Sequence, residues 1–467
     1  MALFNLSQLS VSTILLVSLV LLTAYVAYIK ISLWLVHRRF KLEHGCQPIA
    51  KHYPHRDPFG IDGLIALLKA SKEHRLLDEV LKDKERLGNT YANQILGRDI
   101  IATHEPQNLK TILSLKFKDY GIGNRIDSLG ALLGHGIFTS DGEAWVQSRA
   151  LIRPNFTREQ VADLDAFERH IQDLLKLLPR DGSTVDLQEL FFRLTIDSAT
   201  EFLFGRSVNS LRATTSESSE VTFADAFTKA QHFLILRSRL GPLRHFASRA
   251  DGDAAIRICH AFVDQFVDEA VRYREKAGSA HPPDDAGGPE KYVFLRQVAA
   301  ATTDKRRLRD ELLNVLLAGR DTTASLLSNL WFEVARRPAM FAALRTEVDD
   351  VLPRRQRPSY AQLRSMRFLR FCLNESLRLH PPVPGNERLA VVDTVLPLGG
   401  GPDGSAPLLV RKGTIVSYVP YVMHRRKDLF GEDADEFRPE RWEHLRPGWE
   451  YLPFNGGPRI CTFSEMP

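Results

Sequence analysis

The segment "FNGGPRIC", residues 454–461, sets a lone cysteine behind two glycines and an arginine. A cysteine thiolate is a nucleophile and a metal ligand, and Arg459, two residues before Cys461, both favours the thiolate and offers a pair to an anionic group. Gly456 and Gly457 allow backbone to lie close to a planar cofactor. A buried cysteine is otherwise a small hydrophobe, so the neighbours carry this reading and the thiol alone does not. A second chemical stretch lies in "LLNVLLAGRDTTASLLSNLWFEVARR". Leu312, Leu316, Leu326, Leu330 and Val334 recur at helical spacing, but Ala318 to Ser325 interrupt the stripe with small and hydroxyl residues. Gly319 would let a flat ligand or dioxygen approach the backbone, while Asp321 and Thr322 would supply a carboxylate and a hydroxyl for proton delivery. Asp321 capping a new helix is the alternative, since Asp is a strong N-cap. In "GEAWVQSRALIRPNF", Trp145 and Arg149 form a donor pair at i,i+4 suited to carboxylates on a ligand's rim, with ordinary amphipathic packing as the other reading.

One further pair bears on architecture. Glu375 and Arg378 in "FCLNESLRLHPPVP" are one helical turn apart and can pair on a single face. Phe371, Leu373, Leu377 and Leu379 flank them, so partial burial is expected, and the spare donors and acceptors then need a third member. Arg441 in "FRPERW" is a candidate that sequence alone does not pair.

Elements must bring these residues together. From Leu9 to Ile29 the chain carries no charge, and about 20 apolar residues suffice to cross a bilayer as a helix. Residues 9–29 are therefore expected to be a transmembrane anchor. A cleaved signal peptide is the alternative, but no basic residue precedes the stretch and no small-x-small site follows it. Lys30, His37, Arg38, Arg39 and Lys41 come next, and that basic flank assigns the remainder to the cytosol. Pro48, Pro54 and Pro58 stiffen the rest of a basic, proline-containing linker over 30–59, and residues 60–467 form one large domain. Helical periodicity dominates from about 60 to 380, broken by an exposed loop at 278–290. Val-, Ile- and Tyr-rich runs between about 390 and 425 predict a small β unit around a glycine turn. The fold class is thus mainly α with a small β subdomain. Gly399, Gly401 and Gly404 match a dinucleotide fingerprint in spacing, but Pro407 and a β-like run follow where a helix start is required, so a hairpin loop is expected.

Composition excludes other classes. The +5 charge is a small excess among 62 basic and 57 acidic residues, and the runs "KRRLR" and "PRRQR" are short and without interleaved aromatics, so no nucleic-acid partner is expected. Cys46, Cys259, Cys372 and Cys461 lie far apart with no CxxC pair, against a zinc site or a disulfide framework.

In this order, anchor and proline linker, "WVQSR", "AGRDTT", "ESLR", "FRPERW" and "FNGGPRIC", the segments resemble the cytochrome P-450 superfamily of haem-thiolate monooxygenases. "HGIFTSDGEAWVQSRALIRPNF" and "NVLLAGRDTTA" are further similar to membrane-bound fungal hydroxylases of alkanes and fatty acids. The resemblance implies a haem b cofactor with Cys461 as its axial iron ligand, the thiolate pushing electron density onto iron to favour O–O cleavage. It implies that Thr322 and Asp321 deliver protons to bound dioxygen and that Trp145, Arg149, Arg388 and Arg459 hold the haem propionates. Glu375, Arg378 and Arg441 become a structural ion-pair cluster behind the haem. Electrons would come from an NADPH-cytochrome P-450 reductase in the endoplasmic reticulum membrane, docking on the basic face around the Cys461 loop. One oxygen atom would enter an unactivated C–H bond of a lipophilic, long-chain aliphatic substrate; a lipophilic secondary metabolite is the alternative substrate. The family pattern has glycine two residues after the cysteine and then a long helix beneath the haem, where this sequence has Phe463 and ends at Pro467. A C-terminally truncated chain that binds haem poorly, or a haem-free pseudoenzyme, is the corresponding expectation.

Overall fold

A computed structural model describes residues 11–156, 164–212, 219–246, 249–277, 293–352 and 357–462. Residues 9 and 10 of the expected anchor, the 278–290 loop, most of "PRRQR" and Phe463 onward lie outside the described residues.

Numbering only helices of eight or more residues, the anchor is α1 (Val11–Glu43), followed by α2 (Ile61–Lys72) and α3 (Leu76–Leu87). Next come α4 (Arg125–Leu133), α5 (Gly142–Ile152), α6 (Leu164–Leu177) and α7 (Leu187–Phe204). The body continues through α8 (Ser219–Leu240), α9 (Ala250–Ala277) and α10 (Phe294–Ala301). It closes with α11 (Lys305–Ala335), α12 (Pro338–Val351) and α13 (Arg367–Leu379). The strands are β1 (Thr90–Ile95), β2 (Arg98–Thr103), β3 (Tyr120–Gly121), β4 (Asn386–Ala390), β5 (Thr394–Gly400), β6 (Ala406–Val410) and β7 (Ile415–Tyr418). The fold is mainly helical with two small sheets.

Among the described residues α1 is the one helix long and apolar enough to cross a membrane. It outlasts the apolar run and continues to Glu43, because no glycine or proline interrupts residues 30–44. It ends where the Cys46 N–H closes on the Lys41 carbonyl (2.8 Å) over Gly45. Beyond Cys46 the chain is extended and stitched to the sheets. The Gln47 N–H donates to Pro407 O (2.9 Å), Gly401 N–H to Pro48 O (2.9 Å) and Tyr53 N–H to Ala92 O (2.8 Å). At Gly400 a Cβ would lie 2.8 Å from the Gln47 carbonyl oxygen, so glycine lets the linker press onto the hairpin. The glycine turn therefore closes the antiparallel β5–β6 hairpin, and no helix follows it.

Helical periodicity does not account for everything between 60 and 380. Thr90–Ile95 and Arg98–Thr103 form an antiparallel hairpin, in register from Thr90↔Thr103 to Ile95↔Arg98 around Leu96 and Gly97. Neighbouring helices mask its short alternation. It belongs to a five-stranded sheet in the order β1-β2-β7-β4-β3, which joins residues from both ends of the body. Only β2 and β7 pair in parallel; the other neighbours run antiparallel.

The largest core gathers Leu132, Ile152, Ile196, Phe223, Cys259, Phe294, Leu312 and Leu316 from α11 and six helices around it. α11 is capped by Asp304, whose carboxylate accepts from the Arg307 N–H (3.1 Å), and the "KRRLR" run is its first turn, with Lys305 and Arg306 exposed, Leu308 buried, and Lys305 and Arg309 paired to Asp268 and Asp264. A second core, with Ile112, Leu113, Leu396, Val416, Tyr418 and Leu452, lies under the five-stranded sheet and beside the Cys461 loop.

Candidate active site around Cys461

Cys461 sits in a loop fixed at several points. Its N–H donates to Phe454 O (3.0 Å), and the Ile460 N–H donates to Gly457 O (3.0 Å). Tyr418 of β7 donates its hydroxyl to Asn455 Oδ1 (3.1 Å). Gly457 has φ +67°, and a Cβ there would fall 1.7 Å from the Leu113 carbonyl oxygen. Only glycine lets this loop press against residues 111–115. Cys461 is partly exposed at the end of that turn.

α5 and the loop clasp each other. Arg149 donates Nη1 to the Ile460 carbonyl (3.0 Å), and Arg459 donates to Ser140 O (3.0 Å) and Asp141 Oδ1 (2.6 Å). The Trp145 ring is buried with the Arg459 guanidinium 4.4 Å and the Arg149 guanidinium 6.0 Å from its centroid. Arg388 on β4 and Arg125 at the start of α4 meet at Asn386, donating to its Oδ1 at 3.1 and 3.0 Å. Burial brings Arg459 down to about 10, and the charges of Arg388, Arg125 and Arg149 add to the drop while Asp141 opposes it. Burial also lowers Arg125, with Arg388 repelling it. Four guanidiniums thus share one side of the loop, an arrangement that suits an anionic ligand. Arg125, Asn386 and Asp141 were not singled out from sequence. Arg125 and Asn386 carry no local signal, whereas Asp141 before the "GEAW" helix start could have been found as an N-cap.

On α11, Asp321 and Thr322 are mid-helix, so Asp321 caps nothing. Thr322 Oγ1 donates to Ala318 O (2.7 Å), and Asp321 pairs with Arg320 Nη1 (3.1 Å). Arg320 is held by Thr228 Oγ1 (2.9 Å) and by the Phe192 and Phe227 rings. Burial pushes Asp321 up, and Arg320 opposes the rise. A Cβ on Gly319 would make an ordinary 3.9 Å contact with Ala199 of α7, so this glycine lies at the α7–α11 packing. Thr323 is exposed and Ala318, Gly319, Asp321 and Thr322 partly so, although Glu311 to Leu316 on the same helix are buried.

The third group is fully enclosed. Glu375 accepts from Arg378 Nε (2.9 Å) and Nη2 (2.8 Å), from Arg441 Nε (2.8 Å), from Trp442 Nε1 (2.9 Å) and from the Arg438 N–H (2.9 Å). Burial raises the carboxyl, but these donors outweigh it and hold Glu375 below the usual carboxylate range. Trp442 joins a set that sequence spacing alone could not assemble.

A family model described as cytochrome P450 matches residues 58–462. The chain is 47% identical to cytochrome P450 monooxygenase himC of Aspergillus japonicus, over 99% of its own length and 83% of that protein. It is 46% identical to cytochrome P450 monooxygenase fsdH of Fusarium heterosporum, over 93% of this chain and 77% of that one. Cytochrome P450 52A1 of Candida tropicalis is 43% identical over 84% of this chain and 74% of its own. Identity of this extent, together with a family match that includes Cys461, places the chain in the cytochrome P450 family, whose members are monooxygenases that bind haem through an axial cysteine.

Proposed function

We propose that this chain hydroxylates a lipophilic, long-chain aliphatic substrate, an alkane or fatty acid, with Cys461 as the haem iron ligand. The observation that supports the reading most is the convergence of Arg125, Arg149, Arg388, Arg459 and Trp145 on the Cys461 loop. Their chemistry fits haem: the guanidiniums match two propionates, the thiol matches iron, and Gly457 keeps the loop close to its support. Bound haem supplies the redox chemistry, in which one atom of dioxygen enters a C–H bond and the other leaves as water.

The remaining work falls to side chains. Trp145, Arg149, Arg388 and Arg459 hold the propionates, and Arg125 joins them through Asn386. Asp321 and Thr322 carry protons toward the oxygen site, and Gly319 adds no side chain to α11 beside them. The Arg320 pair restrains Asp321, so proton transfer requires the carboxylate to swing from that partner or exchange protons through water. Glu375, Arg378 and Arg441 keep α13 and the chain before the ligand loop in register.

The anchor at 9–29 is supported by α1 and a monooxygenase domain from residue 60 by the family match from residue 58, while α1 runs on as helix to Glu43 through the first half of the 30–59 linker. The basic flank of α1 favours a single span of the endoplasmic reticulum membrane with the body in the cytosol, next to a membrane-bound NADPH-dependent reductase. An aliphatic substrate partitioning from the bilayer suits that placement and the motif resemblance to fungal alkane and fatty-acid hydroxylases. A lipophilic secondary metabolite is the second reading, since the apolar anchor and delivery from the bilayer suit any lipophilic substrate equally.

The test uses the 467-residue chain in detergent. A reduced, carbon monoxide-treated sample should show the thiolate-type Soret band, absent in Cys461→Ser, and reconstitution with reductase should hydroxylate alkanes or fatty acids. A band with no aliphatic product would move the substrate to the second reading; a chain without the band would overturn the assignment of Cys461.

A further inference from the structure

We infer that Asp141 is a positioning residue for the ligand loop, acting through Arg459 and coupling the Cys461 turn to the segment that carries Arg125. The inference rests on the haem reading only for its consequence; the linkage itself is geometric. One carboxylate oxygen, Oδ1, accepts from Arg459 (2.6 Å), and the other, Oδ2, accepts from the Ile122 N–H (2.8 Å). Ile122 lies three residues before Arg125 and directly after β3. The close approach is built in, because a Cβ on Gly121 would fall 2.8 Å from Asp141 Oδ2. Asp141 is also the N-cap residue of α5, yet its side chain makes no capping bond to that helix. Its two oxygens point instead to elements 19 and 318 residues away in sequence.

This geometry gives the carboxylate two tasks. It holds the Arg459 guanidinium over the Trp145 ring, 4.4 Å from its centroid, with Ser140 O as the second acceptor. It also places one negative charge within a cluster of four guanidiniums, limiting their mutual repulsion before an anion arrives. Loss of the charge should leave Arg459 without its ionic partner and free to leave the Trp145 face. The Cys461 turn then keeps the Arg149–Ile460 and Arg459–Ser140 bonds but loses its ionic tether to the α5 region.

The experiment has a haem-free arm and a haem arm, both on the full chain. In the apo protein, hydrogen exchange is measured for Asp141→Asn, Asp141→Ala and Arg459→Gln. The expected result is faster exchange in both the 120–125 and the 456–462 segments of Asp141→Ala, with Arg459→Gln loosening the same two segments. Asp141→Asn keeps an oxygen for the Ile122 N–H and should loosen only 456–462. Change confined to the first turn of α5 would overturn the inference. In the haem arm, transfer of haem to apomyoglobin should be about tenfold faster for Asp141→Asn, the scale on which partners of metal ligands act. The same substitution should add nothing in an Arg459→Gln background. Equal acceleration in both backgrounds would assign Asp141 to helix stability alone and overturn the inference. A wild-type chain lacking the thiolate Soret band would sink the haem reading, while the exchange arm would still decide the role of Asp141.

Discussion

Arg378 places all five of its guanidinium N–H donors on acceptors: the two oxygens of Glu375, and the carbonyls of His424, Ala434 and Glu436. Neither member of the Glu375–Arg378 pair has exposed side-chain surface. A pair in this state is balanced by geometry, and removing either partner leaves a buried charge without compensation.

Glu375→Ala is therefore expected to destabilise the fold by ~3–5 kcal/mol, read as a lower denaturant midpoint. Arg378→Lys should also lower the midpoint, because an ammonium has three donors and cannot replace the planar fork. An unchanged midpoint in both would show that solvent reaches the cluster.

The acid limb of stability has identifiable sources. Burial holds His104 down to about 3 and His424 down to about 3, both well below an exposed imidazole. His424 is fixed as the Nδ1–H tautomer, since Nε2 accepts from the Leu452 N–H (2.9 Å) and Nδ1 faces the Arg378 carbonyl (3.0 Å). Each ring binds a proton more readily in the unfolded chain, so its contribution is complete above about pH 6.5 and declines as pH falls toward about 3. Between pH 6 and 4 the two should contribute a loss of ~1.4 kcal/mol per pH unit each. Denaturation of His104→Gln across that range should show a shallower slope than the parent chain.

Glu311 acts in the opposite direction. Burial pushes its carboxyl up to about 7, with Ser148 opposing the rise. The folded value is above the unfolded one, so the stability that the protonated form preserves is lost as pH rises through about 7. Glu311→Gln should gain ~2–3 kcal/mol relative to the parent at pH 8 and little at pH 4. Equal effects at the two pH values would show that Glu311 ionises normally.

Arg320 holds Asp321 in an ion pair. Because the arginine opposes the upward push of burial, Arg320→Gln should raise the Asp321 pKa. If Asp321 gives up a proton in turnover, the alkaline limb of the pH–rate profile should move to higher pH in that variant. Thr322→Ala should lower product formation by about 10²-fold while leaving the Soret band of the loaded protein in place.

Removal of residues 1–43 should release the body from membranes in high salt, since α1 is the one described helix that meets the spanning criteria. Its thermal midpoint should stay the same, because the Gln47–Pro407 and Tyr53–Ala92 bonds remain. Persistent sedimentation with membranes would point to the exposed Phe59, Ile61 and Ile65 as a second contact.

The helical body, the apolar N-terminal helix and the β5–β6 hairpin were legible because each is written in local spacing: an uncharged run, a 3.6-residue stripe, a glycine turn between β-branched segments. The extension of α1 to Glu43 follows from the same local rule, that a helix continues until a breaker intervenes. The β1–β2 hairpin was not legible, since its short strands gain their partner β7 more than 300 residues later. The chemical types around Cys461 could likewise be read from "WVQSR" and "NGGPRIC", but not their company. Arg125, Asn386 and Asp141 reach the loop only when α4, β4 and the start of α5 converge on it. Glu375 and Arg378 could be paired from a helical turn, whereas Trp442 and three backbone carbonyls complete the set through folding alone. Sequence fixes which groups are present and which local face they share. Burial, like-charge crowding and the direction of each hydrogen bond arise from contacts between segments distant in the chain, and those decide which guanidiniums crowd together and which carboxylates stay charged.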